Sequence, residues 1–183
     1  ATLNLTGATE SGWFKDTVTE GTITANDEVG LTKVEVSIGD KTLEIKLDKD
    51  KDYSTNLKDN TELATFIKDN LVEGSNTVIV TPYNVVGEKG TAATQIVNVD
   101  KTNPTGNITV NKEASDTLIV DDAKSIAYSR TQFDAIVEAN DLASGIASIK
   151  AKVVDLTGAE KEINLKQGDW TLPEDVARIN SMT

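Results

Sequence analysis

Apolar and polar residues alternate along most of this chain, the period of a strand with one buried face. The alternation runs through Thr17–Ala25, Leu31–Gly39, Thr42–Leu47, Asn76–Asn84 and Thr94–Asp100. In the second run, Leu31, Val34, Val36 and Ile38 put most of their branched side chains on one face, and Lys33, Glu35 and Ser37 lie opposite. Gly, Asn and Asp separate the runs, which predicts an antiparallel β-sandwich rather than βαβ units. One segment departs from this period. Asp59–Gly74 carries Leu63, Phe66, Ile67 and Leu71 at helical spacing, with Asp59 and Glu62 placed as a capping box and Gly74 as a stop. The spacing predicts a short helix in a long inter-strand connection, its apolar stripe turned to the core, because a short isolated helix is marginal in water.

A phrase recurs. Ala25-Asn26-Asp27, followed by Gly30 and Leu31, returns as Ala139-Asn140-Asp141, followed by Gly145 and Ile146. At the same offset Trp13–Thr17 meets Ala127–Thr131 and Gly21–Asp27 meets Ala135–Asp141. One inserted residue then aligns Val34 with Ile149; farther on, Ile45 and Leu47 fall against Ile163 and Leu165, and Tyr53 near Trp170. Similarity over a domain length predicts tandem modules. Between them, Val99–Gly106 holds Pro104 and Gly106, a short stiff hinge, which sets the expected domains at 1–102 and 103–183. On this alignment Thr183 matches about Phe66, so the second module is expected to be incomplete, without its last two strands and with an unpaired sheet edge.

Composition narrows the chemistry. The 183 residues carry a net charge of −12 and no basic cluster, which argues against nucleic acid as a partner. The absence of Cys and His removes thiol nucleophiles, His-based catalytic pairs and the usual zinc ligands. No apolar run is long enough to span a membrane. No signal-peptide pattern opens the chain, which fits an interior piece of a longer protein.

Leu71–Gly106 resembles the last two strands and exit linker of bacterial immunoglobulin-like domain repeats of cell-surface and secreted proteins. Glu73, Gly74, Asn76, Gly87, Val99, Asp100, Thr102, Pro104 and Thr105 fit the family pattern, while Asn84 stands where Asp is commoner and Glu88 where Asn is commoner. Ala139–Val153 is similar to the family's strand opening. The resemblance implies tandem immunoglobulin-like β-sandwiches and an extracellular place on the bacterial surface or cell wall; with neither His nor Cys in the chain, no enzymatic activity is expected. The implied role is that of a structural spacer in an adhesin stalk or surface-layer array. Its partners would be neighbouring modules, further copies, or a host or cell-wall ligand. The alternative is an accessory, carbohydrate-binding module of an extracellular glycan-degrading enzyme.

Three groups of residues compete for a site. Asp48, Asp50, Asp52 and Asp59 have calcium-loop spacing, but Tyr53 replaces the turn glycine and Lys49 and Lys51 offset the charge, so a solvated acidic turn is expected. Asp27, Asp100 and Asp141 are candidate calcium ligands at module junctions; the competing role for Asp27 and Asp141 is to cap the turn after the strand. Trp13, Phe14, Tyr53 and Trp170 are candidate sugar-stacking platforms, against a plain packing role. No Gly-rich phosphate loop is present, since Gly87 and Gly90 fall in a hairpin with no helix after it.

Overall fold

The structure, a computed structural model, describes residues 1–110, 118–121, 126–129, 135–154, 158–171 and 177–179. The chain divides into two compact units, Ala1–Lys101 and Thr102–Thr183.

Unit 1 contains β1 (Thr2–Thr6), β2 (Trp13–Lys15), β3 (Glu20–Ile38), β4 (Lys41–Asn56), α1 (Thr61–Asn70), β5 (Gly74–Asn84) and β6 (Ala93–Asp100). The two long strands each serve two layers. The first part of β3 pairs with β1 (Thr2↔Thr24) and with the far half of β4 (Thr22↔Asn56, Asn26↔Asp52). Its second part pairs with the near half of β4 (Val36↔Leu43) and with β5 (Val36↔Val80). Beyond β5 lies β6, antiparallel, and then β2, parallel to β6. The result is an all-β, sandwich-like fold with one short helix. Leu5, Ile23 and Ala25 from the small layer and Val34, Val36, Val78, Val80, Val97 and Val99 from the large one share a single core.

The free edge of β1 is closed by a side chain. Gln95 Oε1 accepts from the Leu5 amide at 2.7 Å and its Nε2 donates to the Leu5 carbonyl at 2.9 Å. A glutamine here replaces the missing strand and satisfies backbone groups that would otherwise lie unpaired.

The helix forms where the apolar spacing places it, with Leu63 and Ile67 buried, but its ends differ from expectation. A 3-10 turn takes up Leu57–Asp59, so Asn60 is the extended residue that caps, its Oδ1 accepting from the Leu63 amide at 3.0 Å. Asp59 therefore does not cap. The helix stops at Leu71, and Gly74 (φ +90°) opens β5 instead.

Unit 2 contains β7 (Thr105–Val110), β8 (Leu118–Asp121), β9 (Ile126–Ser129), β10 (Ala135–Asn140), β11 (Ile146–Val154), β12 (Glu160–Thr171) and β13 (Ala177–Ile179). Among the described residues, β10 lies between β7 and β13, β11 pairs with β12, and β8 with β9. Ile146 and Ile149 are buried against Ala139.

Pairing corrects the register of the second copy. Ala25 faces Tyr53 and Val36 faces Leu43, whereas Ala139 faces Ala177 and Ala151 faces Ile163. Ala177, not Trp170, therefore stands in the place of Tyr53, and Ile163 matches Leu43 rather than Ile45. The cause is a longer hairpin: seven residues (154–160) separate the pair Val153↔Lys161, against two (39–40) for Ile38↔Lys41.

Candidate functional site

The recurring phrase is a corner. Between Asn26↔Asp52 and Leu31↔Asp50, β3 advances five residues while β4 advances two, so Asp27–Gly30 bulges from the ladder. At this bulge β3 leaves the small layer and enters the large one, as strands that change sheets do. The Asp27 carboxylate holds the bulge through one oxygen: Oδ1 accepts from the Val29 amide at 2.9 Å and the Gly30 amide at 3.1 Å. On the facing strand, β4 turns at Lys49, a non-glycine residue with φ +61°.

Unit 2 builds the same corner more tightly. Asp141 is buried, and its Oδ1 accepts from the amides of Ala143 (3.0 Å), Ser144 (3.0 Å) and Gly145 (3.3 Å). Here the strand divides outright, β10 before the corner and β11 after it. Asn140 faces Thr105 at the start of β7, and the Thr105 hydroxyl donates to the Asn140 carbonyl at 3.3 Å. The corner thus sits beside the first residues of unit 2.

The same holds in unit 1. Ala1, Asn26, Asp27, Asn84 and Glu88 line one depression, and the Ala1 backbone nitrogen donates to the Thr91 carbonyl at 3.1 Å. The β5–β6 turn is joined to the corner by the Val85 amide, which donates to the Gly30 carbonyl at 3.0 Å. That turn is held by Asn84, whose Oδ1 accepts from the amides of Val86 at 3.2 Å and Glu88 at 2.9 Å. Asn in place of the commoner Asp supplies the same acceptor.

The opposite pole carries the chain's exit. Glu73 Oε2 accepts from the Lys101 amide at 2.7 Å, and Lys101 Nζ donates to the Leu71 carbonyl at 2.7 Å. Asn76, buried, ties this segment to β5: its Oδ1 accepts from the Val72 amide at 2.9 Å, and its Nδ2 donates to the carbonyls of Val72, Gly74 and Val97 at 2.8, 3.0 and 3.3 Å. The Glu73-Gly74-x-Asn76 motif is therefore a clamp on the departing chain.

The candidate ligands fall out accordingly. Asp27 belongs to the first pole and Asp100 to the second, at opposite ends of β5, whose 11 residues span about 33 Å. These two cannot share an ion. Among the described residues no group of three or more carboxylates gathers into a cation site. Asp48, Asp50 and Asp52 are spread along β4 and exposed, so the acidic segment is solvated as expected, but as a bend at Lys49 within an edge strand rather than a loop between strands. Phe14 lies in the core and has no face for a ligand. Tyr53 is half-buried against the same core, and burial pushes its phenol pKa up. Trp13 is partly exposed on β2. The Trp170 side chain lies outside the described residues.

No helix among the described residues is long and apolar enough to cross a membrane. No protein-family model matches the chain, and no curated protein matches it. Among solved structures, the chain is similar to one described as a Ca2+-stabilized adhesin that helps an Antarctic bacterium reach out and bind ice. Identity is 15%, the TM-score is 0.37, and the match covers 99% of this chain and 40% of that one. So loose a likeness carries no argument about site or activity.

Proposed function

We propose that this chain is a non-catalytic spacer of a secreted bacterial cell-surface protein, made of immunoglobulin-like units that act through their architecture and through contacts with neighbouring units. The polarity of unit 1 carries this reading. Ala1 lies beside the Asp27 corner and Lys101 is clamped at the other end of β5, about 33 Å away along its 11 residues. Domain termini are often close together; a unit whose ends lie at opposite poles adds its own length each time it is repeated. The layout of unit 1 supports the immunoglobulin-like assignment, with three strand segments in one layer and five in the other, β1 pairing in the small layer and β2 in the large one. An acidic surface, at a net charge of −12, keeps such an array soluble.

The test is deletion of unit 1 from the protein in its own cells. The expected result is a surface structure shorter by about 30 Å in electron micrographs, with the activities of other parts unchanged. Loss of a ligand-binding or catalytic activity with no change in reach would sink the proposal.

A further inference from the structure

The first strand of each unit repeats a second phrase: Thr2-Leu3-Asn4-Leu5-Thr6 in β1 and Thr105-Gly106-Asn107-Ile108-Thr109 in β7. Thr, Asn and Thr occupy alternate positions and so share one face of the strand. In β1 the opposite face buries Leu5, which leaves Asn4 and Thr6 exposed; Asn107 is exposed as well. The core accounts for the leucine but not for an asparagine, a residue depleted in strands.

Both asparagines begin an Asn-x-Thr triplet in which x is not proline, the acceptor signature for N-linked glycosylation. No other asparagine of the chain does so. Asn103 has Thr105 two residues on, but Pro104 between them disqualifies it. Each acceptor also lines a surface depression. The one beside Asn4 has a volume of about 290 Å³ and is bordered by Thr6, Glu20, Thr22, Asn56 and Lys58. Gly21, also at its border, lets β3 pass close to β1: a Cβ there would lie 2.7 Å from the Asn4 carbonyl oxygen. The depression beside Asn107, about 260 Å³, is bordered by Thr105, Glu138 and Asn140. Volumes near the lower end of small-ligand sites give room for a sugar ring. On the outer face of the small layer the side chains of Thr2, Thr24 and Ser54 are short and neutral, and the charged groups at the depression, Glu20 and Lys58, pair with each other at 2.7 Å. The outer face of the large layer carries Lys33, Glu35 and Glu44 instead.

We infer that Asn4 and Asn107 are attachment sites for N-linked glycans, one on the first strand of each unit. The inference rests on the extracellular reading above, because the donor and its transferase act outside the cytoplasm. The Asn Nδ2 attacks the anomeric carbon of a lipid-diphosphate-linked oligosaccharide. A carbon–nitrogen bond forms, the bond from that carbon to the diphosphate oxygen breaks, the amide gives up one proton and the lipid diphosphate leaves. A membrane oligosaccharyltransferase, reading the threonine two residues on, catalyses the step.

The experiment is mass spectrometry of the tryptic peptide that ends at Lys15 and of tryptic peptide 102–112, from the protein recovered at the surface of its own cells. Both peptides are expected to carry an added saccharide. T6A and T109A keep the asparagines and are expected to abolish the modification, each on its own peptide only, while T6S retains it. Melting curves check that the exposed substitution T6A leaves the fold intact. Unmodified peptides from a surface-exposed chain overturn the inference alone, as does a saccharide that survives T6A and T109A. A chain found only in the cytoplasm overturns the extracellular reading and the inference together.

Discussion

Gly30 passes so close to Lys49 that a Cβ at position 30 would lie 2.6 Å from the Lys49 carbonyl oxygen. The contact joins the two strands where each changes layer, and φ +113° at Gly30 adds a backbone conformation that side chains rarely adopt. G30A therefore combines strain with a backbone clash and is expected to destabilise the protein by about 2–3 kcal/mol. Gly87 shares the positive φ (+83°), but nothing lies within 4 Å of its absent Cβ. G87A should cost about 1–2 kcal/mol, the conformational penalty alone. Urea denaturation of both variants checks the order; equal losses would mean that the Lys49 contact relaxes freely.

The two corners differ in how much their carboxylates do. Asp27 Oδ1 accepts from two amides in a partly exposed bulge, whereas Asp141 Oδ1 accepts from three and is only 7% exposed. D27A is expected to cost about 1 kcal/mol, as for a lost cap. D141A should cost about 2–3 kcal/mol, because three part-buried amides lose a charged acceptor. The Asn variants keep an acceptor oxygen and should recover most of both losses. Hydrogen exchange at Ala143 and Gly145 would report the opening of the second corner directly.

The corner was legible in the sequence because its chemistry is local: an aspartate, a gap and a glycine suffice to say that a strand bends there. The α1 helix was legible from Leu63 and Ile67, but not its cap, since Asp59 and Asn60 are adjacent and equally fit. Only the 3-10 turn at Leu57–Asp59 decides between them. The register of β12 could not be read because a shift of two residues leaves every side chain on the same face. Ile163 against Ile45 and Ile163 against Leu43 are the same pattern; the length of the hairpin separates them. Asp48–Asp52 looked like a turn because charge runs face water, and an edge strand satisfies that rule as well. The Thr-x-Asn-x-Thr strand escaped the repeat alignment because it recurs at an offset of 103, from Asn4 to Asn107, rather than 114.

Asn76 gives the exit clamp its polarity. It accepts once, from the Val72 amide, and donates to three carbonyls. N76A should cost about 2 kcal/mol by leaving buried backbone groups unpaired. N76D is the sharper variant, because a carboxylate would confront those carbonyls with no proton to donate. The introduced carboxyl should titrate above the usual value of about 3.9. Its penalty is therefore full at neutral pH and lifts as pH falls through the raised folded value. Thermal melts of N76D and wild type should converge on acidification; a gap that stays constant would mean that packing, not charge, sets the loss.

Lys33 bridges two strands on the outer face of the large layer. Its Nζ lies 2.7 Å from Glu35 and 2.8 Å from Glu44, and 4.7 Å from the centre of the Tyr83 ring. Hydrogen bonds to Glu35 and then Glu44 push the Lys33 pKa up, and the bond from Lys33 holds Glu35 below the usual carboxylate range. For Glu35, whose folded value is depressed, the contribution to stability is present above an unfolded pKa of about 4.3 and is lost as pH falls through the folded value. For Lys33, whose folded value is raised, it is present below about 10.4 and is lost as pH rises through the folded value. E35Q should therefore lower the melting temperature slightly at pH 7, since exposed ion pairs contribute little. The difference should vanish in strong acid, where the wild-type carboxyl is also neutral, and narrow in 1 M salt, which screens exposed charges. A gap that survived both acid and salt would assign Glu35 a packing role against Tyr83 instead of an electrostatic one.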